Sequence, residues 1–102
     1  MLRLTRLSHS RGEVVMAVDG WVAGDAVLLL EEEGSRALRE AERLVLDLDG
    51  VRFIDAAGLA LLQRWAGERL VLRGGPLFVR QMLKVHGLVQ ERPGDRQDHT
   101  DV

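Results

Sequence analysis

Apolar and polar positions follow two periods along this chain, one of two residues and one near 3.6. The stretch "LRLTRLS" (residues 2–8) reads as a short, charged strand, and "EVVMAVDG" (13–20) as a second strand rich in β-branched side chains. "SHSRG" between them reads as a turn, so the chain opens with a hairpin. From Asp25 to about Ala41 apolar side chains recur at Val27, Leu30, Ala37 and Ala41, with Gly34 on the same stripe. That spacing predicts a helix with one face on a sheet and Glu31, Glu32 and Glu33 on its outer side. Glycine inside a helix costs up to about 1 kcal/mol relative to alanine, so Gly34 points to close packing at that turn. "RLVLDL" (43–48) is apolar on both faces, as a central strand with helices on either side would be. A second helix is predicted over Ala56–Ala66 and a strand over "ERLVLR" (68–73). "GGP" then turns the chain, with Pro76 placed for the first helical position of "LFVRQMLKVHG". His86 and Gly87 suit the C-terminal cap of that helix.

The order strand, strand, helix, strand, helix, strand, helix implies an α/β fold: a mainly parallel sheet with an opening antiparallel hairpin and helices packed on it. With 102 residues, 46% of them apolar, there is material for one core. The domain is expected to span 1–90, with 91–102 a disordered C-terminal tail, because the sequence after Val89 has almost no apolar side chains. No run approaches the roughly 20 apolar residues of a membrane span. The N-terminal residues lack the apolar core of a signal peptide, so a cytoplasmic protein without membrane insertion is expected. Cysteine is absent, which removes disulfides and thiolate chemistry. Tetrahedral zinc would have to draw on the scattered His9, His86 and His99.

Charge changes this picture in one respect. The net charge of −2 argues against a nucleic-acid partner. It is unevenly spread: residues 12–60 hold eleven acids and four arginines, whereas 61–90 hold five bases against Glu68 alone. Two readings follow, ordinary paired surface charge, or a basic patch of Arg64, Arg69, Arg73, Arg80 and Lys84 facing an acidic partner.

The chemistry concentrates at "LVLDLDGVRFIDAAGLALL" (44–62), where a buried strand gives way to a helix. Asp55 directly precedes the helix, so its carboxylate can accept from the N–H groups of Ala57 or Gly58 as an N-cap. Ala56, Ala57 and Gly58 leave the first turn bare, and another molecule could come within backbone distance of it. The bland alternative is that Asp55 caps and the small residues let the helix sit close to the sheet.

That stretch resembles the signature of STAS domains, the fold of anti-sigma factor antagonists and of the cytoplasmic ends of sulfate transporters. The resemblance runs over roughly Leu2 to Leu88 and is most specific in the strand, the "DGVRFID" turn and "GLALL". In antagonists the motif commonly reads Asp-Ser-Ser-Gly-Leu, and the second serine is phosphorylated by an ATP-using anti-sigma factor kinase. Ala57 stands in that place here as a degenerate phosphosite, with Ala56 before it, and neither can carry phosphate. The hydroxyl-bearing residues, Thr5, Ser8, Ser10, Ser35 and Thr100, all lie outside the motif.

The resemblance implies a non-catalytic regulatory interaction module that needs no cofactor and binds its partner through Asp55, Ala56, Ala57, Gly58 and Leu59. It implies one of two partners, an anti-sigma factor kinase or the ATPase of a lipid-trafficking ABC transporter, since stand-alone STAS subunits of such transporters often lack the serine. Homodimerisation stays open. An enzyme holding magnesium on Asp19, Asp47, Asp49 and Asp55 is the weaker reading. Receiver-type phosphotransfer needs a positioned lysine, whereas Lys84, the only lysine, falls in a helix.

Overall fold

The computed structural model describes residues 1–10, 12–66, 69–88 and 90–91. Five strands form one sheet in the order β1 (Leu2–His9), β2 (Glu13–Val22), β3 (Arg43–Ile54), β4 (Leu70–Arg73) and β5 (Gln90–Glu91). β1 and β2 are the antiparallel hairpin, and the other neighbours run parallel. The crossovers carry α1 (Ala26–Glu40), α2 (Ala56–Trp65) and α3 (Leu77–Val85).

Helices on both faces of β3 were expected, and the fold differs. Each parallel crossover steps one strand in the same direction, and right-handed connections stepping one way lay their helices on one face. The buried residues of all three helices join a single cluster with Val14, Met16 and Val18 of β2 and Leu44, Leu46 and Leu48 of β3, alternate positions that share a face. Val15 and Val45 are also buried but point the other way and stand outside that cluster. The second apolar face of "RLVLDL" therefore has no helix on it.

The α1 stripe packs as its spacing predicts, with Leu38 added to Val27, Leu30, Gly34 and Ala37. Gly34 lies against the indole of Trp65, where an added Cβ would come within 2.4 Å of the ring. Gln63 of α2 donates to the His86 carbonyl at the end of α3 (3.1 Å), which sets α2 between the other two helices. His86 and Gly87 do end α3. Gly87 has φ +79°, the Leu88 N–H donates to the Leu83 carbonyl (2.8 Å) and the Gly87 N–H to that of Lys84 (3.1 Å), a Schellman arrangement. Pro76 is the N-cap of α3 rather than its first helical residue, with ψ 159° and its carbonyl accepting from Arg80.

Two boundaries move. β3 continues through "DGVRFI", which the sequence suggested was a turn, because β2 runs beside it to Val22. Gln90 and Glu91 pair with Leu72 and Arg73, so the expected domain boundary at 90 falls inside a two-residue strand. Gln90 also donates its side-chain amide to the Gly74 carbonyl. The remainder of the expected tail, 92–102, lies outside the described residues. Among the described residues no helix is long and apolar enough to cross a membrane.

Candidate functional site

The site grows from the last residues of β2 and β3. The Asp55 N–H donates to the Val22 carbonyl (3.0 Å), fixing the end of β3 to the end of β2. Its backbone is extended, as an N-cap requires, and one carboxylate oxygen accepts from the Gly58 N–H at 2.8 Å. The other oxygen accepts from the Gly24 N–H at 2.9 Å. One carboxylate thus ties the β2–α1 loop to the start of α2. The Gly24 bond, followed by that from Gly58, holds the carboxyl below the ordinary aspartate range, since both stabilise the ionised form. The cap was legible from spacing; the Gly24 bond, 31 residues away in sequence, carried no local signal.

A second aspartate of the same stretch does similar work one loop along. Asp49 accepts from the Gly75 N–H at 2.8 Å, tying β3 to the turn between β4 and α3. Gly74 has φ +71° there, and a Cβ would meet the Asp49 carboxylate, so the "GGP" turn needs its first glycine on both counts. Asp47 accepts from the Asp49 N–H at 3.0 Å. These carboxylates face backbone donors, and among the described residues no three acids or histidines gather into a metal site. The order of the described strands never reverses, so it provides no topological switch point.

The five residues predicted to meet a partner divide. Ala56 and Ala57 are exposed and Asp55 is half-buried, whereas Gly58 and Leu59 are buried. The close backbone approach inferred at Gly58 is internal: an added Cβ would lie 2.8 Å from the Val22 carbonyl oxygen and 3.0 Å from the Ile54 side chain. Gly58 seats the helix on β2, whereas Ala56 and Ala57 leave its outer turn bare. Sequence reasoning missed two exposed apolar side chains on α1. Leu28 (64% exposed) and Leu29 are open at the start of α1. Past them, Arg64 of α2 pairs with Glu31 of α1 at 2.8 Å.

The five-residue basic patch is not one surface. Arg64 is consumed by Glu31, and Arg69 donates to the Leu38 and Ala41 carbonyls at the end of α1 (2.9 and 3.0 Å). Arg73 stands across from Asp47 in the β3–β4 register. Arg80 and Lys84 alone share the outer surface of α3.

The family model described as Mlab, STAS domain, matches residues 5–90. No curated protein sequence matches the chain significantly. Among solved structures, the anti-sigma factor antagonist SpoIIAA in its unphosphorylated form superposes with a TM-score of 0.68 at 17% identity, over 99% of this chain and 96% of that one. The Bacillus cell fate determinant SpoIIAA in its phosphorylated form gives 0.63 at 16%, over 98% and 99%. An anti-sigma factor antagonist from Mycobacterium paratuberculosis gives 0.59 at 23%, over 98% and 96%. At these identities the likeness is one of fold. The family match covers the hairpin, the three one-sided crossovers and the aspartate-capped junction together, and by it the chain belongs to the STAS domain family.

Proposed function

We propose that this STAS domain is a non-catalytic regulatory module that docks a protein partner on the exposed start of α2. The observation that carries this reading is the double grip of Asp55, which ties the β2–α1 loop to the first turn of α2 and displays Ala56 and Ala57 with nothing larger than a methyl group. Leu28, exposed on α1 three residues before the Glu31 that pairs with α2, adds apolar area on that side. Gly58 and Leu59 act from beneath, setting the height of the turn rather than touching the partner.

A methyl at position 57 cannot be phosphorylated, so docking here is constitutive or is controlled from the partner's side. In an antagonist with serine in that position, phosphate would add up to about two negative charges to the interface and release the partner. The fold neighbours favour an anti-sigma factor kinase as partner. The paired alanines favour the second reading, an accessory subunit bound to the ATPase of a lipid-trafficking ABC transporter. Affinity purification from the native cell separates the two. A partner with a histidine-kinase-like ATP fold supports the first, one with a Walker A loop the second, and recovery of the chain without a protein partner contradicts both.

A further inference from the structure

A second surface lies at the same sheet end, running from Trp21 and Phe53 at the ends of β2 and β3 to Phe78 at the start of α3. Three of the chain's four aromatic side chains, Trp21, Phe53 and Phe78, are exposed, and all three lie where strands end or α3 begins. Trp21 and Phe53 are register partners whose rings are 5.5 Å apart and inclined by 52°. They are 53% and 42% exposed, so the pair is solvated on its outer side.

What brings these groups together is irregular pairing. Against β2, β3 carries an extra residue between Asp47 and Gly50 and another between Val51 and Phe53. The second extra residue is Arg52, and a bulged residue leaves the ladder and is re-aimed. Arg52 lines two adjoining clefts: one of about 500 Å³ with Arg3, Asp19, Gly20 and Trp21, one of about 350 Å³ with Asp49, Pro76 and Phe78. Arg52 forms no ion pair among the described residues, and Arg3, although it stands across from Asp19 in the β1–β2 register, is not within ion-pair distance of it, whereas Arg6, Arg36, Arg43 and Arg64 are all paired. The Asp19 carboxylate in the first cleft is turned onto the backbone of Gly50, where it leaves no room for a Cβ.

Two unpaired guanidiniums beside a solvated Trp–Phe pair have the composition of a binding hot spot, where arginine and aromatic side chains are enriched. We propose that the cleft around Arg52 is a second docking site, one that takes an extended protein segment with carboxylates flanking an apolar or aromatic side chain. The aromatic pair supplies contact area at low entropic cost, and Arg3 and Arg52 supply forked donors for the carboxylates.

The test is a 15N–1H NMR titration of the full chain at low salt. The probes are a blocked Glu-Phe-Glu-Leu-Glu peptide and its Lys-Phe-Lys-Leu-Lys counterpart. The acidic peptide is expected to bind with Kd of about 1 mM or tighter, shifting the Trp21 indole N–H and the amides of Gly50, Arg52 and Phe53. Arg52→Glu and Arg3→Glu, with otherwise native spectra, are each expected to weaken it about ten-fold or more. Equal response to both peptides, no response of the named signals, or unchanged affinity in Arg52→Glu and the milder Arg52→Ala would overturn the proposal. Shifts confined to Ala56, Ala57 and Leu28 would also overturn it, while leaving the α2 reading intact.

Discussion

Asp55 shows how much one side chain settles. It was legible as a cap from its place before "AAGL", and the structure adds that its second oxygen holds the Gly24 N–H. Asp55→Ala is expected to lower Tm by several degrees with loss of cooperativity at the α1 and α2 starts, measured by thermal unfolding and amide exchange. The bond has a pH signature. Because the folded carboxyl titrates below its ordinary value, its contribution is complete above the ordinary aspartate pKa, about 3.9, and is lost as pH falls through the folded value. Asp55→Asn is therefore expected to flatten the acid limb of stability against pH below that point, leaving the limb above it unchanged. An identical acid limb in both proteins would contradict this. Gly58 carries the opposite lesson. From sequence it looked like a gap left for a partner, but what fills it is the Val22 carbonyl. Gly58→Ala should destabilise the fold by about 1–3 kcal/mol in urea titrations, as overpacking does, even though alanine is the better helix former.

At the scale of elements, the helices were legible almost to their ends because each one's apolar stripe reports its own burial. α1 was expected over Asp25–Ala41 and is Ala26–Glu40 between those residues as caps; Gly34 was read as a close contact and lies on Trp65. Gly34→Ala tests that contact. Intrinsic propensity favours the change by up to about 1 kcal/mol, but the new methyl would displace an indole that is nearly buried. A net loss of about 1–2 kcal/mol in urea denaturation is expected; a gain would mean that the ring moves freely. The end of β3 was not legible. "DGVRFI" has the composition of a turn, and what keeps it extended is pairing with Asp19–Val22, through two register shifts that only the neighbouring strand can specify. The helix-free second face of β3 was hidden for a related reason, since an apolar strand face announces burial without naming what covers it.

On the scale of the whole molecule, the three crossovers all step the same way, and that simple topology produces two unlike surfaces. One is the helical layer, with acids on α1 and, on α3, Arg80 and Lys84, which form no ion pair among the described residues; the other is the bare sheet side, with Arg3, Trp21 and Phe53. The charge asymmetry seen along the sequence is real, but folding spends Arg64 and Arg69 on α1 and leaves Arg73 beside Asp47. The family was legible from residues 44–62 because the strand, the loop-tying Asp49 and Asp55, and the small first turn stand together there. The central claim is that the Ala56–Ala57 turn is where the partner sits. Its most direct test is the affinity of the partner recovered from the native cell for the wild-type chain and for Ala57→Asp, by isothermal calorimetry. Position 57 is exposed, so the variant should keep its Tm, and a carboxylate near a helix start is not destabilising. A loss of affinity of about ten-fold or more at unchanged Tm, comparable to burying an unpaired charge, is the predicted result; equal affinity in the two folded proteins would place the partner elsewhere and contradict the account.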